Sequence, residues 1–76
     1  MLFLKPILNY KGFKTIIQFS KEDNVYYGTI INITDFVCFD GITVSEAIKF
    51  FKESVEDYIS FCKELGKEIE YKERSI

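Results

Sequence analysis

The side chains that could do chemistry in this sequence are carboxylates and thiols, because it contains no histidine. Without an imidazole, the Ser-His-Asp and Cys-His arrangements lose their usual general base. Asp35 and Asp40 bracket a short apolar run, and Glu53 and Asp57 follow downstream. A two-metal nuclease would need several such acids converging on ions about 4 Å apart. Asp35 and Asp40 instead occupy strand-end positions where Asp commonly hydrogen-bonds nearby backbone. Glu53 and Asp57 stand among Lys49, Lys52 and Lys63 on a face that reads as solvated. Catalysis is therefore not expected, and no metal or cofactor is assigned. Cys38 and Cys62 show no CxxC or zinc spacing and read as small core fillers. Gly12, Gly28, Gly41 and Gly66 are scattered and form neither a phosphate loop nor a dinucleotide fingerprint.

The strongest element is a helix from Thr43 to Gly66. Thr43-Val44-Ser45-Glu46 has capping-box spacing, with the Thr43 hydroxyl accepting from the Glu46 N–H and the Glu46 carboxylate reaching back to the Thr43 N–H. Gly66 can take the left-handed position that ends a helix. Val44, Ile48, Phe51, Val55, Tyr58, Cys62 and Leu65 recur at steps of four and three, a single apolar stripe. The spacing also suits a coiled coil, but Phe51 and Tyr58 would occupy seam positions that prefer Leu. A core helix is expected. Phe50 falls in the outward row, either tucked beneath the N-terminal segment or presented to a partner.

Strand signals lie upstream. Residues 1–11 read as an edge strand or a loosely held tail. Phe13 to Ser20 alternates, with Phe13, Thr15, Ile17 and Phe19 on one face and Lys14, Ile16, Gln18 and Ser20 on the other. Lys21-Glu22-Asp23-Asn24 is a polar hairpin loop. In the second strand, from Val25, the odd positions Val25, Tyr27, Thr29, Ile31 and Ile33 are assigned to the core. Phe36 to Phe39 reads as a third strand and Asp40-Gly41 as the turn into the helix. Ile69 and Tyr71 could anchor a short terminal strand. The predicted fold class is α+β: a three-stranded antiparallel meander with one long helix on one face, order β-β-β-α. One helix covers one face. The other would carry Ile16, Tyr26 and Ile30, which mark it as a surface for a partner or for self-association.

At 76 residues the chain fits one domain, 1–76. A core this small rarely supplies more than about 3–5 kcal/mol of net stability, so a homodimer, a higher oligomer or another partner is the expected support. The net charge of −2 gives no basic footprint for nucleic acid. Lys5-Pro6 interrupts Met1-Leu2-Phe3-Leu4 too early for a signal-peptide core, and no stretch approaches membrane-span length. A cytoplasmic location with reduced thiols is expected.

The order of particular residues resembles the HicB antitoxin family, in its short HicB-like branch. Tyr10-Lys11-Gly12-Phe13 leads into the first strand, Phe19 closes it, Asp23 falls in the loop and Tyr27-Gly28 in the second strand. The most specific run is Ile33-x-Asp35-x-Val37-x-Phe39-x-Gly41-x-Thr43-Val44-x-Glu46, followed by Val55, Asp57-Tyr58, Cys62 and Gly66-Lys67-Glu68. The resemblance implies a partial ribonuclease-H-like fold without that nuclease's catalytic site. It implies binding to HicA, a small double-stranded-RNA-binding-like mRNA endonuclease, and occlusion of its active site. Many members add a C-terminal DNA-binding segment. After Gly66 this sequence has neither the Pro nor the Phe-Gly lead common before that segment, so direct operator binding is not expected of it. The alternatives are a HicB-like structural or adaptor module with no toxin, and a metal-dependent nuclease using Asp35 or Asp40.

Overall fold

The computed structural model describes residues 7–71 of the chain. The motifs named above fall within them, apart from the apolar start at 1–4 and the Lys5-Pro6 break, which lie outside the described residues.

Strands β1 (Leu8–Tyr10) and β2 (Phe13–Thr15) form a tight antiparallel hairpin. Its turn has positive φ at both Lys11 and Gly12, the mirror-image geometry whose twist matches the flanking strands. Strands β3 (Gln18–Ser20), β4 (Val25–Thr29) and β5 (Cys38–Gly41) form an antiparallel sheet in the order β3-β4-β5. Helix α1 (Val44–Leu65) packs across it. The α+β meander with one covering helix is thus the architecture, with the N-terminal hairpin added.

The single strand expected over 13–20 is interrupted at Ile16 and Ile17. The register nevertheless carries through the break, since Thr15 bridges Ile30 and Gln18 pairs with Tyr27. Where the ladder ends, the Asn32 side chain acts as a backbone substitute. It accepts from the Lys14 N–H (2.9 Å) and donates to the Gly12 carbonyl (2.9 Å), tying the hairpin to the end of β4.

This register corrects the facing of the second strand. Directly paired residues share a face, and the ladder joins odd numbers to even ones: Phe19 to Tyr26, Gly28 to Phe39 and Tyr26 to Gly41. With Phe13 and Thr15 buried, Gly28 and Ile30 must turn inward as well. Ile30 is only 3% exposed, while Tyr27 and Ile31 are outward at 38% and 39%. Ile33 is buried as expected, because the turn at 31–32 resets the alternation. Cys38, paired with Thr29 on the outward face, is exposed and not a core filler; Cys62 is buried.

The core comprises Phe13, Ile30, Ile33 and Phe39 from the strands and loops, against Ala47, Phe51, Val55, Tyr58 and Cys62 of the helix. Burying a side chain such as Phe51 contributes about 1.5–3 kcal/mol. The helix stripe is shorter than its sequence pattern, because Val44 and Leu65 at its ends are exposed and Ala47 takes a central place. Thr15 is the buried polar residue among them, and its hydroxyl donates to the Thr29 carbonyl (2.5 Å).

The helix begins as its sequence predicts. Thr43 is extended and its hydroxyl accepts from the Glu46 N–H (3.1 Å). The Glu46 carboxylate, however, accepts from the Ile42 N–H (2.9 Å), one residue before the expected donor. Gly66 caps the other end at φ 65°, with Lys67 N–H donating to the Cys62 carbonyl (2.8 Å). Beyond it, Tyr71 bridges Ile33 and Thr34 N–H donates to the Glu70 carbonyl (3.0 Å), which is the expected terminal pairing reduced to one bridge.

Two glycines let the helix and sheet approach. A Cβ on Gly41 would sit 2.6 Å from the Ala47 nitrogen, and one on Gly28 would meet the Phe39 ring at 2.8 Å and the Ile16 carbonyl oxygen at 2.9 Å. Gly41→Ala should lower stability by about 1–3 kcal/mol, the usual cost of overpacking, because it forces helix backbone away from β5. Urea unfolding measures this. A midpoint unchanged from the wild type would show that the helix does not seat there.

Candidate partner-binding surface

The sequence placed the interface on Ile16, Tyr26 and Ile30. The structure does not bring them together on an open sheet face. Ile30 is in the core against the helix, a consequence of the odd-to-even register. Ile16 lies in the break between β2 and β3 and is half-buried. Tyr26 is also half-buried, on the helix side of the sheet, where its ring stacks obliquely on Phe19 with centroids 4.8 Å apart. Tyr26 and Phe19 line a groove with Ile17, Val44 and Ile48 at the β3 side of the helix. The face turned away from the helix carries Gln18, Tyr27, Cys38 and Asp40, with Ile31 also exposed, a surface of mixed polarity.

A more voluminous opening lies along the opposite flank of the helix. Phe36, Val37, Phe61 and Leu65 line an open cleft of about 710 Å³, with Phe36 81% exposed. Phe36 was expected inside the third strand, but that strand starts at Cys38, and residues 34–35 bend ahead of it. Asp35 explains the bend. Its carboxylate accepts from the Tyr58 hydroxyl (2.6 Å) and from the Lys67 ammonium, so it joins the loop to the helix and to the residue after the helix cap. With Asp35 tied inward, Phe36 projects into solvent. Ser54 and Asp57 continue the cleft toward Phe50, Glu53 and Asp40 beside β5. Phe50 accordingly packs near β5, not beneath the N-terminal hairpin.

A second Tyr–carboxylate–Lys junction holds the hairpin. Glu56 accepts from the Tyr10 hydroxyl (2.6 Å) and pairs with Lys11 (2.7 Å). The Tyr10-Lys11-Gly12-Phe13 run therefore forms a turn that grips the middle of the helix. Its residues position structure and present no reactive group.

The electrostatics follow the contacts. Lys67 and Tyr58 hold the Asp35 carboxyl below the usual range, and Lys11 and Tyr10 do the same for Glu56. Lys67 and Lys11 are raised in return. Burial, then the hydrogen bond to Asp35, pushes Tyr58 up. Both fold contacts of Asp35, from Tyr58 and from Lys67, are accepted by the same oxygen, Oδ2. Asp40 lies on the outward face, paired in register with Tyr27 and not with Asp35. Among the described residues no three His, Cys, Asp or Glu side chains group closely enough to hold a metal ion. No described helix is long and apolar enough to cross a membrane.

Compared with known proteins, the chain matches no family model, no curated protein and no solved structure.

The cleft was only partly visible in the sequence. The apolar run from Phe36 carries a strand pattern, and Phe61, an aromatic one residue from the helix stripe, gives no signal of exposure by itself. Phe50 in the outward helical row was the available clue.

Depressed carboxyl pKa values stabilise the fold above the unfolded value, and that contribution is lost as pH falls through the folded one. Stability should therefore drop as pH falls below about 4, the ordinary carboxyl range. Asp35→Asn should flatten this acid limb, whereas Asp57→Asn, at a carboxylate without an ion-pair partner among the described residues, should leave it steep. Thermal unfolding between pH 2 and 7 separates the two. Equal acid limbs in the wild type and Asp35→Asn would contradict the assignment.

Proposed function

We propose that this chain is a non-catalytic binding protein of the HicB antitoxin type, which neutralises a HicA-like mRNA endonuclease by covering its active site. The observation that carries this reading is the cleft of Phe36, Val37, Phe61 and Leu65, where large apolar side chains cluster in solvent. Scattered exposed hydrophobics are ordinary, but a contiguous patch rimmed by polar groups is the property of an interaction site. The HicB-like residue order supports the same reading from the sequence. Several of its positions have structural duties that would maintain such a scaffold: the Gly12 turn, the tight spaces at Gly28 and Gly41, and the Thr43–Glu46 cap.

Occlusion needs a stable surface of suitable shape and no reacting group. The two Tyr–carboxylate–Lys junctions fix the loop before β5 and the hairpin against one rigid helix. Binding then loses less conformational entropy, because the surface is already ordered. A homodimer or higher oligomer would draw on the same exposed apolar side chains.

In a 1:1 mixture, the wild-type chain should suppress RNA cleavage by a HicA-like toxin. Phe36→Glu or Phe61→Glu should restore cleavage at least tenfold, whereas Tyr27→Glu on the opposite face should not. Light scattering on the same variants reports self-association, and a monomeric variant that still neutralises would assign the cleft to self-association and not to toxin binding. If the wild-type mixture cleaves RNA as fast as the toxin alone, the antitoxin reading is wrong.

A further inference from the structure

The free edge of β5 and the helix flank beside it form a continuous surface with a particular charge. In the order β3-β4-β5, strand β5 has a sheet neighbour on one side only among the described residues. Ile30 N–H donates to the Val37 carbonyl (3.0 Å), which fixes the alternation of the ladder. In an antiparallel pair, residues alternate between pointing their N–H and C=O at the neighbour and pointing them away. Val37, Phe39 and Gly41 turn theirs toward β4, so the backbone groups of Cys38 and Asp40 turn toward the open side. No described residue outside the β4–β5 ladder bonds to them.

Acidic groups border that edge. Glu53 and Asp57 lie on the adjoining helix flank and Asp40 on β5 itself, around Phe50 and Ser54. The ion pairs among the described residues are Lys11–Glu56 and Lys67–Asp35, which leaves Asp40, Glu53 and Asp57 without a cationic partner. Lys67, which lines the adjoining Phe36 cleft, is held by Asp35, and Lys49 lies over the Phe50 ring at 5.9 Å. The helix lysines Lys49 and Lys52 line the depression beside Tyr10 together with Glu53 and Glu56, whereas the groove beside β5 is lined by Asp40, Glu53 and Asp57 and by no lysine.

We infer that the β5 edge accepts an extended, basic segment of a partner protein as an added strand, with the partner's Lys or Arg side chains meeting Asp40, Glu53 and Asp57 and its apolar side chains entering the Phe36–Phe61 cleft. Strand addition supplies main-chain hydrogen bonds for affinity, while pockets for alternate side chains supply selectivity. An edge flanked by like charges repels a second copy of itself, which favours a basic partner over a homodimer at this edge. The inference rests on the reading of the chain as a binding protein and assigns that binding to a place and a chemistry.

The test is selection of a displayed library of random decapeptides on the full chain, followed by fluorescence anisotropy with one enriched peptide. Enriched sequences should combine Lys or Arg with apolar residues. Asp40→Lys, or Glu53→Lys with Asp57→Lys, should weaken the peptide at least tenfold, while Lys49→Glu with Lys52→Glu should not. N-methylation of alternate peptide amides should abolish binding in one phase and spare it in the other, as only strand pairing requires. Failure to enrich basic peptides, insensitivity to the three acidic positions, or equal tolerance of both methylation phases would each overturn the inference. If a toxin is neutralised regardless of Asp40, Glu53 and Asp57, the antitoxin reading stands and this surface fails. If basic peptides bind here but no toxin is neutralised, the surface stands and that reading fails.

Discussion

The contact on which the rest depends is the meeting of backbone with backbone at Gly41 and Ala47. No side chain fits between the end of β5 and the first turns of the helix, because even a Cβ on Gly41 would lie 2.6 Å from the Ala47 nitrogen. This closeness sets the height of the helix above the sheet and allows Phe39 and Phe51 to meet, with ring centroids 5.5 Å apart. Gly28 extends the constraint by giving the Phe39 ring its space. In so small a chain the core has little redundancy. Seating the helix low on β5 turns one flank outward beside the strand's free edge, and the exposed cleft arises there.

The helix carries acidic groups on both of its flanks. Its hairpin flank is neutralised by the Glu56 junction with Tyr10 and Lys11, and Lys52 also lies over the Tyr10 ring at 5.6 Å. Its β5 flank has Asp35 satisfied by Tyr58 and Lys67, with other acids left open. The carboxylates therefore fall into two groups by structure. Asp35 and Glu56 fasten loops to the helix, while Asp40, Glu53 and Asp57 are available at the surface. Exposed unpaired charges contribute little to folding and much to steering an oppositely charged partner.

Much of this was legible in the sequence where a residue pattern dictates local geometry. The Thr43–Glu46 cap, the Gly66 terminus and the helical stripe through Phe51, Val55, Tyr58 and Cys62 lie where spacing places them. The meander followed from short loops. The facing of the second strand did not follow from its own composition, because Ile30 and Ile31 are equally apolar neighbours. It was set by the hairpin, since pairing Ser20 with Val25 obliges odd and even positions to share a face. A one-residue shift in phase exchanges the two faces of a strand, which is why Ile30, expected on the open face, lies in the core. The junctions at Asp35 and Glu56 join residues far apart in the chain, and such contacts leave no local signal. Neither does the exposure of Phe36, which depends on where Asp35 is tied.

The central claim is that β5 presents an open edge beside an acidic, apolar helix flank. Amide hydrogen exchange on the chain alone, resolved residue by residue, addresses it most directly. The account predicts slow exchange at Phe39 and Gly41, whose N–H groups turn toward β4, and fast exchange at Cys38 and Asp40, whose N–H groups turn toward the open side. Uniform protection of all four amides would contradict it, because the edge would then already be covered.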